Sequence, residues 1–512
     1  MHKLYAILLA LLYFHYTTAQ DFPVIDNNFG VNGRSAIPMF VSQAGSFFGS
    51  RQLLTYPNGD IFLASTTLWD VPNDDRDLFT ARLSANGNLV GTYGDTGTLR
   101  IHTGARIEYI NGSHMGADEK VVLAGVHRDL FQSIDRALLV RINPNGTLDT
   151  SFGGAGYVIS DLSPISSISE GKDVKVLPDG KILLAARVRI ASGNPAFEHA
   201  IVRYKQNGTI DSTFGSNGVL FITNPTTPEI AENLLVQADG KIVLLGTTTV
   251  SGMVKLHLAR ATSEGIPDST FGTNGTTVIT LSPSANFSVQ DFYLQPDQKM
   301  IVAGAVSGAA TLIRINTNGT IDNNFGSSGV CTIPASRMSN AFKILPAPNN
   351  KLYAIGKEFD SVKVARLSDA GILDQTFGEG GVAGVTNANP FGVDLNGAVL
   401  SNGSLLICGK WTNNNVDYIS TIKVNITTNT TAIDPLVQNN TRIYPNPASR
   451  SIEMLSQWPI SSLEVYDFSG KLAGHTRGIN LLDISHLPNG LYLVRWVAVT
   501  GATGHTKLLV AH

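Results

Sequence analysis

The stretch NPNGTLDTSFGGAG, from Asn143 to Gly156, recurs along the chain. An Asn-Gly pair, an apolar residue, Asp, two small polar residues and Phe-Gly return as QNGTIDSTFGSNG (Gln206 to Gly218), SEGIPDSTFGTNG (Ser263 to Gly275), TNGTIDNNFGSSG (Thr317 to Gly329) and DAGILDQTFGEGG (Asp369 to Gly381). A truncated copy, VIDNNFGVNG, begins at Val24. A worn one, ANGNLVGTYGDTG from Ala85, puts Val90 in place of Asp and Tyr93 in place of Phe. The aromatic positions are thus Phe29, Tyr93, Phe152, Phe214, Phe271, Phe325 and Phe377, spaced 52 to 64 residues apart. Self-similarity at a period near this length is the signature of a repeat architecture.

Working outward, each unit holds two further elements. A hairpin signal such as LPDGKILLAA (Leu177 to Ala186) or QADGKIVLLG (Gln237 to Gly246) follows each motif, because an Asp-Gly or Asn-Gly pair supplies the positive φ of a tight hairpin turn. An alternating strand then runs into the next Asn-Gly, as in AIVRYKQNG or TLIRINTNG. Four short antiparallel strands per unit, repeated seven times without helical periodicity, predict an all-β chain built on a seven-bladed β-propeller. An open solenoid is the alternative, but it needs end caps, which the sequence does not show. Each aromatic is expected to wedge against the neighbouring blade, burying about 1.5–3 kcal/mol of apolar surface.

The 512 residues carry only 15% charged side chains and 50 glycines, which suits a turn-rich extracellular β protein. A net charge of −3 and the lack of any Lys/Arg cluster argue against a nucleic-acid partner. Residues 1–19 read as a secretory signal peptide, basic at Lys3 and apolar from Leu4 to Phe14, with cleavage between Ala19 and Gln20. That apolar run is too short to span a bilayer, and no other transmembrane segment is expected. Cys331 and Cys408 fall in different repeats and read as small buried hydrophobes, a disulfide being the alternative.

Two polar positions recur in phase. Arg82, Arg141, Arg203, Arg260, Arg314 and Arg366 share one place in the fourth strand, and Asp149, Asp211, Asp268, Asp322 and Asp374 each follow their Arg by eight residues. An internal Arg–Asp pair repeated with the blade, or an Asp cap on the turn amides, explains this economically. The alternatives are an arginine face gripping an anionic polymer, or calcium held by the Asp residues. No catalytic constellation, metal-ligand spacing or cofactor fingerprint is present, so no cofactor is expected. The histidines of the propeller (His102, His114, His127, His199 and His257) fall at unrelated places in their repeats. The acidic stretch from Asp70 to Asp77 reads as a solvated loop, with a metal or ligand site as the alternative. Function is expected where repeats differ: the insertions Trp69 to Arg76, His127 to Arg136, Ile190 to His199 and Trp411 to Val416.

The units resemble the bacterial delta-60 repeat, a propeller-type repeat with no general catalytic residues to carry over. The resemblance covers about Val24 to Ile426, and the departures at Val90 and Tyr93 imply a looser or reshaped blade. Residues 20–426 are therefore expected to form the propeller and 427–440 a polar linker. From Thr441 to His512 the short strands and turns predict a small β-sandwich. Its motifs Tyr444-Pro445-Asn446-Pro447, Asp467-Phe468-Ser469-Gly470-Lys471, Gly490-Leu491-Tyr492-Leu493-Val494 and Lys507-Leu508-Leu509-Val510 resemble the C-terminal sorting domain of the type IX secretion system of Bacteroidetes. That resemblance implies export across the outer membrane, handling by the secretion machinery and a sortase-like peptidase, and release or attachment at the cell surface. A retained carbohydrate-binding or adhesive sandwich is the alternative. The reading is an exported, non-enzymatic, monomeric binding or scaffold module, with polysaccharide or surface glycan as a candidate ligand. Its rivals are a polysaccharide-directed enzyme at the channel mouth and an architectural adhesin.

Overall fold

In the strand Ile182–Arg189 five consecutive residues are fully buried, which a sheet with one wet face does not produce. Its neighbour Phe197–Tyr204 is buried from Glu198 onward, so the alternation expected from sequence is absent even at Arg203. Both strands are covered on two sides, as they are when sheets stack face to face. The computed structural model describes residues 20–39, 52–70, 75–129, 134–163, 168–189, 197–222, 229–281, 286–385, 395–413, 416–429, 442–455, 459–467, 470–478, 481–499 and 503–512. The signal peptide, most of the linker and parts of the four insertions lie outside them.

The sheet Ser169–Val176, Ile182–Arg189, Phe197–Tyr204 and Val219–Ile222 is antiparallel in chain order. Three more sheets with the same order begin at Glu229, Phe287 and Asn340. Residues 52–101 and 107–160 form two such sets, joined into one sheet by a single parallel bridge, Arg76 to Ile107. The last sheet is composite. Asn396–Val399, Leu405–Asn413 and Val416–Asn429 come from the end of the unit, and its outer edge comes from the beginning. Gln20–Ile25 pairs with residues 424–429, and Arg34–Met39 pairs with residues 417–422.

These seven strand sets enclose one cavity. Its walls carry residues at the first strand of every set: Gln52, Asn111, Asp173, Asn233, Asp291, Lys343 and Asn396. The chain from Gln20 to Asn429 is therefore a β-propeller around a central channel, closed by its own N-terminal strands. In five of the first strands the register shifts at the same point, next to Gly112, Asp173, Asn233, Asp291 and Lys343. A bulge re-aims the following side chain, here toward the channel.

The motif aromatics lie between blades. Phe29, Tyr93, Phe152, Phe214, Phe271, Phe325 and Phe377 are all at most 1% exposed. Six of them, all but Phe377, face the turn glycine of the next unit closely enough to demand glycine there: a Cβ on Gly265, whose φ is +78°, would lie 2.9 Å from the Phe214 ring. The Gly after each aromatic donates its N–H across the seam: Gly215 to Glu264 O at 2.8 Å, and Gly272 to Asn318 O at 2.9 Å. The last of these, Gly378 to Asp21 O at 2.8 Å, closes the ring.

The unit beginning at Thr430 has its own core. A sheet of Arg442–Tyr444, Ser451–Leu455 and Leu481–Asp483 accompanies one ordered Leu472–Arg477, Ile460–Tyr466, Gly490–Ala498, Thr503–Val510. Ile452, Met454, Leu463, Val465, Val494 and Leu508 are all within 1% of full burial between them, a small β-sandwich. Asn446 pins the Tyr444–Pro447 segment to the closing strand, its Nδ2 donating to Lys507 O (2.8 Å) and its Oδ1 accepting from Leu509 N (2.9 Å). Tyr492 is buried and its hydroxyl donates to Pro488 O at 2.9 Å.

Candidate functional site

The recurring arginines are drawn into the seams. Arg203 Nε donates to Asp211 Oδ2 at 2.8 Å, Nη2 to Thr213 Oγ1 at 3.1 Å, and Nη1 to Ser263 O of the next unit at 2.6 Å. Its guanidinium lies 4.8 Å from the Phe214 ring centroid. Arg141, Arg260, Arg314 and Arg366 repeat the Nε–Asp pair with Asp149, Asp268, Asp322 and Asp374, at 2.7–2.8 Å. In the last of these Nη1 reaches Asp21 Oδ2, so the first described strand receives the closing staple. These five arginines form the internal pair expected of them and leave the alternative, a ligand face, without exposed guanidinium groups at these positions. Burial in an ion pair is the only inexpensive way to keep a guanidinium inside a blade seam, and these five side chains are 5–8% exposed.

The hairpin lysine is a third partner that the sequence reading missed. Lys120, Lys181, Lys241, Lys299 and Lys351 each approach the same Asp Oδ2 at 2.6–3.3 Å. In four of these turns the other oxygen, Oδ1, accepts from the hydroxyl two residues on, as Asp211 does from Thr213 at 2.7 Å. Both carboxylate oxygens are thereby spent, which removes the calcium reading of these turns. Burial raises Asp268, but hydrogen bonds from Thr270 and Lys241 and the Arg260 charge outweigh it and hold the carboxyl down to about 2.

The worn copy is rearranged. Where five other units have Lys, the hairpin has Asp60, which accepts from Arg82 Nε at 2.9 Å. Asp60 thus supplies the carboxylate that Val90 lacks. Arg82 stacks on Tyr56 (4.0 Å), and the Tyr93 hydroxyl hydrogen-bonds Thr80 Oγ1 at 2.8 Å. In the seventh unit Lys423 replaces Arg and meets Asp26 at 3.1 Å, joining the two ends of the ring.

The channel encloses about 350 Å³. Its carboxylates also serve the fold: Asp173 Oδ2 accepts from Lys175 Nζ (2.7 Å) and from Leu234 N of the next blade (2.9 Å). Asp291 does the same with Lys343 Nζ and Ile344 N, both at 2.9 Å. Gly112 occupies the equivalent place in the second blade, where a Cβ would lie 2.7 Å from Asp173 Cα.

Between the first two blades lies a different cluster. Glu108 is fully buried, and its Oε1 accepts from Thr103 N and Oγ1 (both 2.8 Å) and Ala105 N (3.2 Å). Burial pushes its carboxyl up to about 7 against those bonds. His102 Nδ1 lies 2.8 Å from Asp77 Oδ1 and 3.9 Å from Glu108 Oε2, and His127 Nδ1 is 3.0 Å from Thr103 Oγ1. Asp77, expected in a solvated loop, is fully buried in the strand Asp75–Leu83, and Arg100 holds its Oδ2. His199 and His257 are buried neighbours with ring centroids 5.4 Å apart. Cys331 and Cys408 are both buried and unbridged, and burial pushes the Cys331 thiol up to about 11.

These features define an all-β propeller joined in one chain to a small sandwich. Residues 116–152, 177–214, 237–271 and 295–325 match the family described as "Domain of unknown function (DUF5122) beta-propeller". Residues 442–511 match the "Secretion system C-terminal sorting domain". The chain thus carries the sorting domain of type IX export, which directs it to the cell surface or the medium. Among the described residues no helix is long and apolar enough to cross a membrane. Among curated proteins no match was found. Solved structures similar to this chain include the polysaccharide lyase Uly1 (13% identity, 80% of this chain and 97% of that one, TM-score 0.45). Others are the α-L-arabinofuranosidase Arb93A of Fusarium graminearum (10%, 77% and 97%, 0.42) and prolyl oligopeptidase B of Galerina marginata (11%, 87% and 56%, 0.42).

Proposed function

We propose that residues 20–426 act as an exported, monomeric, non-enzymatic binding or scaffold module, released or displayed after residues 441–512 have engaged the type IX machinery and its sortase-like peptidase. The observation that carries this is the state of the channel carboxylates. Asp173 and Asp291 are each engaged by a lysine and by a backbone amide of the next blade. A general acid or nucleophile needs a free, correctly tuned oxygen, and these have been put to structural use. What the channel offers is the amides Gln52, Asn111, Asn233 and Asn396 beside the Asp173–Lys175 and Asp291–Lys343 pairs, a lining suited to hydroxyl-rich ligands such as a surface glycan. The test is a binding screen of the purified protein against polysaccharides and glycans at two salt concentrations. A saturable ligand whose affinity is nearly independent of salt supports the reading. Affinity falling steeply with salt points to a cationic patch instead.

A further inference from the structure

The seam between the first two blades holds a carboxylate oxygen that the fold does not use. All three donors that reach Glu108 converge on Oε1. Oε2 is buried, accepts no hydrogen bond and faces His102 Nδ1 at 3.9 Å. Leaving such an oxygen dry and unpaired costs stability, and the recurring aspartates of this ring avoid it, as Asp211 does with Arg203, Lys181 and Thr213. From the other side of the same nitrogen, Asp77 presents Oδ1 at 2.8 Å, while Arg100 takes the opposite oxygen, Oδ2. Asp75, Asp77 and His102 each offer a ligand atom, and these lie within 4.8 Å of one another.

We propose that Asp77, His102 and Glu108, with Asp75 at the rim, form a site for one divalent cation of borderline hardness, Zn²⁺ fitting best. Zinc bonds to nitrogen and carboxylate oxygen of about 2.0–2.2 Å put neighbouring ligand atoms roughly 3–3.6 Å apart. The present separations of 2.8 and 3.9 Å bracket that range, so small side-chain shifts suffice. An imidazole among the ligands disfavours Mg²⁺ and Ca²⁺, which take oxygen sets. His102 is half exposed and gives the ion a way in, whereas Asp77 and Glu108 form a dry floor. The ion would clamp the two blades beside their one parallel strand bridge among the described residues, Arg76 to Ile107.

The test uses tag-free protein stripped with a chelator and then dialysed. Zn²⁺, Mn²⁺ and Ca²⁺ are titrated by calorimetry, with bound metal counted by equilibrium dialysis, on wild type, His102→Ala and Glu108→Gln. Melting each protein in chelator verifies that both variants fold, which the half-exposed imidazole and the isosteric amide favour. One equivalent of Zn²⁺ is expected to bind the wild type more tightly than Ca²⁺. Each substitution should weaken it at least tenfold, and Zn²⁺ should raise the wild-type melting temperature but not that of His102→Ala. Wild type binding no more Zn²⁺ than His102→Ala, or binding Ca²⁺ equally well, overturns the assignment.

Discussion

Asp211→Ala tests whether the repeated polar residues hold the ring together. Arg203 is 5% exposed and Asp211 3%, and they meet at 2.8 Å. Removing the carboxylate leaves a desolvated guanidinium stacked on Phe214 and a lysine, Lys181, whose 3.3 Å partner is gone. Breaking one side of a buried pair costs about 3–5 kcal/mol, because the surviving charge has no compensation. The double variant Arg203→Met/Asp211→Leu removes both charges, and the two single effects should fall short of additivity by about 1–3 kcal/mol. Urea midpoints followed by circular dichroism read both quantities. A loss below about 1 kcal/mol for Asp211→Ala, or strict additivity in the cycle, would refute the staple argument.

Deleting residues 20–39 removes the outer edge of the composite blade and the Gly378 to Asp21 bond, and should leave soluble, folded protein unrecoverable; a monomer with an unchanged melting temperature would show that closure lies elsewhere. Burial holds His114 and His257 down to about 4, against 6.5 for the free imidazole. As pH falls below 6.5 the unfolded chain takes up protons that the folded one refuses, so stability should drop between about pH 6.5 and 4, by on the order of 1–3 kcal/mol per histidine. The depressed aspartates add a second loss from 3.8 toward 2, as for Asp268. A urea midpoint that is flat from pH 7 to 5, or no flattening of that stage in His114→Gln, would contradict this. In the sorting domain, Asn446→Ala forfeits two hydrogen bonds to the closing strand and should destabilise it by about 1–3 kcal/mol, with impaired export as the cellular readout; normal export and stability would remove that role from Asn446.

The propeller was legible because one turn recurs with conserved spacing, and because Phe, Gly, Arg and Asp sit at matching places in it. The third partner was equally periodic yet less visible: the lysine of each hairpin precedes its Asp by more than twenty residues, and only the folded blade brings Lys181 to Asp211. The exchange in the worn unit shows the same limit. Val90 looks like a loss until Asp60 is seen in the lysine position of its own blade. Ring closure was illegible because pairing of residues 20–25 with 424–429 spans the whole unit. Of the Glu108 cluster only the acidic stretch holding Asp75 and Asp77 stood out: its members come from two blades and occur once, so no repeat advertises Glu108 or joins His102 to it.

The most direct test of the binding account combines occupancy with product analysis at the channel. Wild type and Asn233→Ala are incubated with the best ligand from the glycan screen, binding is measured by calorimetry, and the polymer is sized afterwards by gel filtration. The account predicts saturable binding, at least tenfold weaker in Asn233→Ala, with polymer length unchanged after prolonged incubation. Shortened polymer, or affinity indifferent to the channel substitution, would contradict it.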